Sequence, residues 1–191
     1  MQIKIESRLL GDVVVIVPEI FQDARGFFTE TFRADQFKAL GLPTEFVQDN
    51  HSRSAKGVVR GLHFQWGPPM GKLMRVTAGS AFLVAVDIRK GSPTLGKWAG
   101  VEASTENRRQ VWAPAGFARG FCALAEGTEI QYKCTGIYSN KAESGILWND
   151  PRVGIKWPAE IAQELILSEK DKTARTLDEW LASPESGNFN F

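Results

Sequence analysis

The chain is 191 residues long, 43% hydrophobic and 24% charged, with a formal net charge of +1. That length suits one domain with a real core, the composition is globular, and the balanced charge gives no electrostatic footprint for a nucleic-acid partner. No apolar run approaches the roughly 20 residues of a membrane-spanning helix, and Met1-Gln2-Ile3-Lys4-Ile5-Glu6 lacks the apolar core of a secretory signal, so a cytoplasmic protein without membrane contact is expected.

The first predicted strand is the β-branched run at 13–17, closed by Pro18. A turn at 23–26 leads into an aromatic strand at 27–32, whose exposed-looking charges are Arg25 and Glu30. The spacing of Phe37 and Leu40 predicts a short helix over 34–40, ended by Gly41 in the C-cap position with Pro43 beyond. Residues 46–48 read as extended, and 49–54 are polar enough to read as a loop. The stretch 58–65 follows as a strand, with His63 on one face and Leu62 and Phe64 on the other. Gly61 permits a bulge or a close backbone approach there. A strand begins at Lys72, and others are predicted at 81–88, 97–101, 110–113, 120–125 and 129–135, separated by Gly and Pro turns. Such recurrence predicts an antiparallel sandwich or jelly roll, and no segment shows the strand-helix alternation of a parallel sheet. Capping patterns at 168–171 and 176–179 predict one or two short helices, and 183–191 reads as a loose tail. Cys122 and Cys134 lie in apolar strand-like segments and are expected to be reduced.

Two histidines in different segments, His51 and His63, and two cysteines without ligand spacing do not supply a metal cluster, so no metal is expected. A nucleophile elbow, a P-loop and a dinucleotide glycine pattern are all absent. What remains is acid-base chemistry at His63, although a histidine in an apolar strand more often just hydrogen-bonds within a core. A base of that kind needs an orienting carboxylate, a cation for developing negative charge, and an acid on the substrate's opposite face. Asp171 is the candidate orienter, Lys72 or Arg60 the cation, and Tyr132 or Tyr138, the only tyrosines, the proton donor. Each also has a plain structural use, as a helix cap, a solvated cation or an amphipathic strand residue.

Arg25-Gly26-Phe27-Phe28-x-Glu30, Gln48-Asp49-Asn50, Arg60-Gly61-Leu62-His63-Phe64-Gln65, Gly71-Lys72-Leu73, Tyr132-Lys133-Cys134-Thr135 and Leu167-Ser168-Glu169-Lys170-Asp171 together resemble the dTDP-4-dehydrorhamnose 3,5-epimerase family. The resemblance implies an all-β, cupin-type double-stranded β-helix (jelly roll) with short peripheral helices, mainly C-terminal, as a single domain over 1–191. It implies a homodimer exchanging N-terminal strands, and a reaction without metal or organic cofactor. The substrate implied is dTDP-4-dehydro-6-deoxy-D-glucose, inverted at C3 and C5 to dTDP-4-dehydro-L-rhamnose. By the same resemblance His63 is the base, Asp171 its orienter, Lys72 the holder of the enolate oxygen and Tyr132 the acid. Arg25, Glu30, Gln48, Asn50, Arg60, Glu143 and Lys170 are implied contacts to diphosphate, sugar and base, with Tyr138 stacking on thymine. The segment 138–145, which holds Tyr138 and Glu143, departs from the usual family pattern.

Two further departures bear on the pocket. Arg119 stands where a histidine is expected, and Leu83 where an aspartate is expected. An arginine stays cationic at any working pH, so it can bind a substrate oxygen or phosphate but cannot shuttle a proton; the plain alternative is that it only repacks the rim. These departures leave open a relative acting at C3 or C5 alone, or on another 4-ketosugar nucleotide. A reading from another class is a noncatalytic sugar-nucleotide binding protein on the same scaffold.

Overall fold

The computed structural model describes residues 2–158 and 165–191. Its first strands are β1 (Ile3–Leu9), β2 (Val13–Pro18), β3 (Ile20–Asp23) and β4 (Gly26–Thr29), followed by helix α1 (Ala34–Ala39). Strands β5 (Gln48–Ser54), β6 (Val59–Gln65), β7 (Lys72–Ala78), β8 (Ser80–Asp87) and β9 (Trp98–Ser104) come next. The series closes with β10 (Gln110–Ala113), β11 (Phe117–Ala123), β12 (Thr128–Cys134), β13 (Glu143–Gly145), α2 (Glu169–Lys172) and α3 (Leu177–Ala182).

One sheet has the order β1-β2-β10-β7-β12-β5 and the other β13-β6-β11-β8-β9, while β3 and β4 form a separate hairpin. The pairings between these strands are antiparallel. Val13, Val15, Met74, Val111 and Ile130 of the first sheet meet Leu83, Ala85, Val101, Phe117 and Phe121 of the second in one apolar core. This is the jelly roll expected from the strand spacing. The continuous run in β2 follows from burial on both faces, because Val13 and Val15 point into that core while Val14 and Ile16 pack outward with Phe37 of α1. On the outer face of the second sheet, Leu62, Phe64, Val84 and Val86 are covered by Leu177, Trp180 and Phe189 from the C-terminal segment.

Two expectations are corrected. Residues 49–54 are not a loop but most of strand β5, which pairs with β12 along its length. Its side chains are polar on both faces because one face lines a cavity and the other meets solvent, so no apolar alternation marks it. The segment 183–191 is not loose either. It forms a 3₁₀ turn over Pro184–Asn188, Phe189 is buried, and Lys90 and Phe191 bond through the backbone to Phe189 and Lys90 respectively. A single well-placed aromatic holds down what is otherwise a polar tail. The aromatic strand predicted over 27–32 ends at Thr29. Among the described residues no helix is long and apolar enough to cross a membrane.

Candidate active site

The site begins with one glycine. Strand β6 runs against β11 with His63 opposite Arg119 but Arg60 opposite Phe121, so the register slips by a residue between them. Gly61 sits in the slip with φ at 120°, and a Cβ there would lie 2.6 Å from the Gly120 Cα and 2.8 Å from the Arg119 carbonyl oxygen. Only glycine fits. Leu62 and Phe64 point into the outer core, leaving His63 to face the interior of the sandwich. Gly61→Ala is therefore expected to cost about 1–3 kcal/mol of stability from backbone strain and to misplace the imidazole. Thermal denaturation together with an activity assay checks this, and an unchanged melting temperature would show that the close approach is dispensable.

Asp171 reaches His63 from the far end of the chain. Ser168 caps α2 by accepting from the Asp171 backbone N–H. The Asp171 carboxylate does not fold back to close a capping box; it lies 2.6 Å from His63 Nε2. Burial works to raise the Asp171 carboxyl, yet hydrogen bonds from His63, Ser168 and the Gly61 backbone outweigh it and hold the group below its ordinary value. An ionised carboxylate only accepts, so it selects the tautomer with hydrogen on Nε2 and leaves the lone pair on Nδ1.

Around the imidazole, alternation along β12 turns Ile130, Tyr132 and Cys134 inward, and Lys72 stands opposite Cys134 on β7. The Lys72 Nζ lies 4.8 Å from the centroid of the Tyr132 ring. Desolvation, then the neighbouring Arg119 charge, pushes Lys72 down to about 8. Burial raises the Tyr132 phenol, against a hydrogen bond from Asn50. Asn50 lies directly across from Tyr132 and is itself fixed by Gln48, whose Nε2 donates to Asn50 Oδ1 at 3.0 Å.

Two lobes of one interior space meet at His63, Lys72, Arg119 and Tyr132. The first, of 530 Å³, is walled by Arg60 and Asp171 and by apolar Met74, Phe121 and Ile130. The second, of 590 Å³, is walled by Gln48, Asn50, Tyr138 and Glu143, and Lys170 borders both. Tyr138 donates through its hydroxyl to Glu143 Oε1 at 3.2 Å, and Lys170 pairs with the same carboxylate. The Tyr138 ring is 54% exposed, which leaves a face free at the mouth. Cations outnumber carboxylates along these walls, which suits an anionic ligand.

Of the residues singled out by sequence, His63, Lys72, Tyr132, Asp171, Gln48, Asn50, Arg60, Arg119, Tyr138, Glu143 and Lys170 are thus brought together. Arg25 and Glu30 are not. Arg25 lies on the β3–β4 hairpin, bonded to Asp23, and Glu30 lies beside Arg33 at 3.5 Å; neither lines either lobe. Leu83 lines neither lobe; it fills the apolar core just behind the cavity wall, paired across from Phe121. Arg119 is no rim residue, for it is only 3% exposed. The apolar wall of Met74, Phe121 and Ile130 escaped the sequence reading, although Ile130 falls two residues from Tyr132 on the same strand face.

Comparison with known proteins adds to this geometry. The family described as dTDP-4-dehydrorhamnose 3,5-epimerase matches residues 8–179. A protein of that name from Escherichia coli K12 is 51% identical over 172 residues, covering 89% of this chain and 92% of the relative. Another of the same name from Neisseria gonorrhoeae is 52% identical over 167 residues, covering 87% of this chain but spanning only 50% of that longer relative. A solved dTDP-6-deoxy-D-glucose-3,5-epimerase from Legionella pneumophila, in complex with dTDP-4-keto-L-rhamnose, superposes with a TM-score of 0.91 at 45% identity over 97% of each chain.

Proposed function

The chain belongs to the dTDP-4-dehydrorhamnose 3,5-epimerase family and is an isomerase, and from that premise we propose that His63 and Tyr132 invert C3 and C5 of dTDP-4-dehydro-6-deoxy-D-glucose from opposite faces of the sugar ring. The C4 ketone acidifies the C–H bonds on both sides of it. His63 Nδ1 removes one of these protons, and the bonding electron pair moves toward C4, whose oxygen becomes an enolate oxyanion held by Lys72. Tyr132, kept protonated by burial, delivers a proton to the opposite face, and the electron pair returns to carbon with inverted configuration. Solvent takes the proton from His63 and returns one to Tyr132, and repetition at the second carbon then completes the product. Every proton removed is replaced and no oxidation state changes, so the scheme calls for no redox cofactor.

The observation that carries this reading is the 2.6 Å His63–Asp171 contact opening onto the cavity that Lys72 and Tyr132 also line. Gln48, Asn50, Arg60 and Lys170 supply donors for the diphosphate and sugar, and the open Tyr138 face, steadied by Glu143, accepts thymine. Incubation of the dTDP-4-keto sugar in deuterated water tests it: two deuterons, at C3 and C5, are expected. One deuteron would mean a single-carbon epimerase, and none would leave only a binding protein.

The reading extends to a homodimer. Phe21, Phe27 and Phe28 are each more than half exposed on the hairpin that carries Arg25, an apolar surface over which its own chain lays the Arg108 guanidinium, 4.0 Å from the Phe27 ring centroid. A second copy accepting this hairpin would cover the phenylalanines and bring Arg25 to the neighbouring cavity mouth. Arg25→Ala is then expected to raise KM about tenfold or more, the loss of one charged hydrogen bond to phosphate, while kcat changes little. Steady-state kinetics and light scattering check both parts, and a monomer with an unaltered KM would refute the arrangement.

A further inference from the structure

The Arg119 guanidinium is only half used by its own chain. Its Nη1 donates to the carbonyls of Met70 at 2.6 Å, Pro114 at 3.1 Å and Ala113 at 3.4 Å, which fixes the plane of the group. Its Nε and Nη2 are buried and have no partner among the described residues. Burying a cation with unmet donors is costly, and an acceptor reaching that edge offsets the cost, an anionic oxygen most of all. Pairing of β11 with β6 sets Arg119 opposite His63, and the residue borders both lobes at the point where Lys72 and Tyr132 do.

Resting on the assignment of His63 as base and Lys72 as oxyanion holder, we propose that Arg119 is a further catalytic residue, whose Nε–H and Nη2–H donate to the C4 oxygen as it becomes the enolate and share its charge with Lys72. A fork of two N–H groups can converge on one oxygen, and donors already held in place act on developing charge with little reorganisation. Burial lowers this guanidinium to about 10, so it keeps its charge across the neutral range. The charged and titratable groups around it are His63 from β6, Lys72 from β7, Tyr132 and Cys134 from β12, and Glu143 and Lys170 beyond. Lys72 and Arg119 repel one another until an anion lies between them, and this repulsion adds to desolvation in lowering the lysine.

The test compares wild type, Arg119→Met and Arg119→His for deuterium incorporation at saturating dTDP-4-keto sugar, for dTDP binding, and for the pH profile of kcat/KM. Arg119→Met is expected to lose about 10²–10³-fold in kcat, the scale for removing one oxyanion donor, with dTDP affinity preserved. Its alkaline limb should also move upward, because Lys72 loses a repelling neighbour. The ratio of the Arg119→His rate to the wild-type rate should rise as pH falls below about 6.5, where an imidazole at that position is charged. A kcat within about threefold of wild type in Arg119→Met overturns the proposal, as does weakened dTDP binding with unchanged kcat, which would make Arg119 a phosphate contact. Should Arg119→Met fail to fold, Arg119→His decides, since a flat ratio to wild type across pH overturns the assignment. Absence of incorporation in the wild type itself would defeat the epimerase reading first, and Arg119's role with it.

Discussion

Replacing His63 by Asn is expected to abolish exchange of the C3 and C5 hydrogens with solvent, a fall of about 10²–10⁴-fold, the usual contribution of a positioned general base. Binding of dTDP should survive, because asparagine keeps the size and polarity of the site while losing the lone pair on Nδ1. Asp171→Asn should approach the same loss by another route. An amide offers both a donor and an acceptor, so it no longer forces hydrogen onto Nε2, and a fraction of the imidazole then points an N–H at the substrate. The pH dependence follows from the depressed carboxyl of Asp171. Its folded value lies below its unfolded one, so the stabilisation it gives is complete above the ordinary carboxylate range and is lost only as pH falls through the lowered value. Across neutral pH the orienter stays charged. Retained deuterium incorporation in His63→Asn would remove His63 from the role of base.

Tyr132→Phe should separate the two halves of the reaction. Proton removal by His63 does not require the phenol, so deuterium will still enter recovered starting material, returned to the same face from which it left. Inversion needs a donor on the other face, and its rate is expected to fall about 10²-fold or more. Mass spectrometry of substrate and product after partial conversion measures both. Equal losses in exchange and inversion would show that Tyr132 supports the enolate instead of quenching it. The 4.8 Å separation between the Lys72 Nζ and the ring is unaffected by the substitution, so the cation keeps its aromatic neighbour.

Much of the scaffold was legible because apolar alternation and Gly or Pro turns mark strands that bury a face. Strand β2, the His63 strand and the helix caps at Ser168 and Thr176 all follow from local rules. Strand β5 did not, because a strand whose inward side chains are Gln48, Asn50 and Ser52 carries no hydrophobic signature. What hides such a strand in the sequence is what makes it useful to a polar ligand. The catalytic pairing was likewise out of reach of periodicity, since 108 residues separate His63 from Asp171 and only the docking of α2 against β6 joins them. Leu83 and Arg119 show the converse problem. Both read as changes of charge at a pocket, yet one is core filling and the other a gripped guanidinium at the cavity; they share the inner face of one sheet, and the difference is set by where along it each lies, Leu83 across from Phe121 and Arg119 across from His63.

The C-terminal segment braces the back of the strand that carries the base: Trp180 stacks edge-on against Phe64 at 4.5 Å, immediately next to His63, and Phe189 closes over the same ring. Substituting Trp180 or Phe189 leaves every residue that lines the cavity in the chain, yet takes away the aromatics that hold Phe64, and with it the neighbouring imidazole, in place. Loss of this packing would therefore loosen the strand that carries the base without touching a single group that meets the sugar.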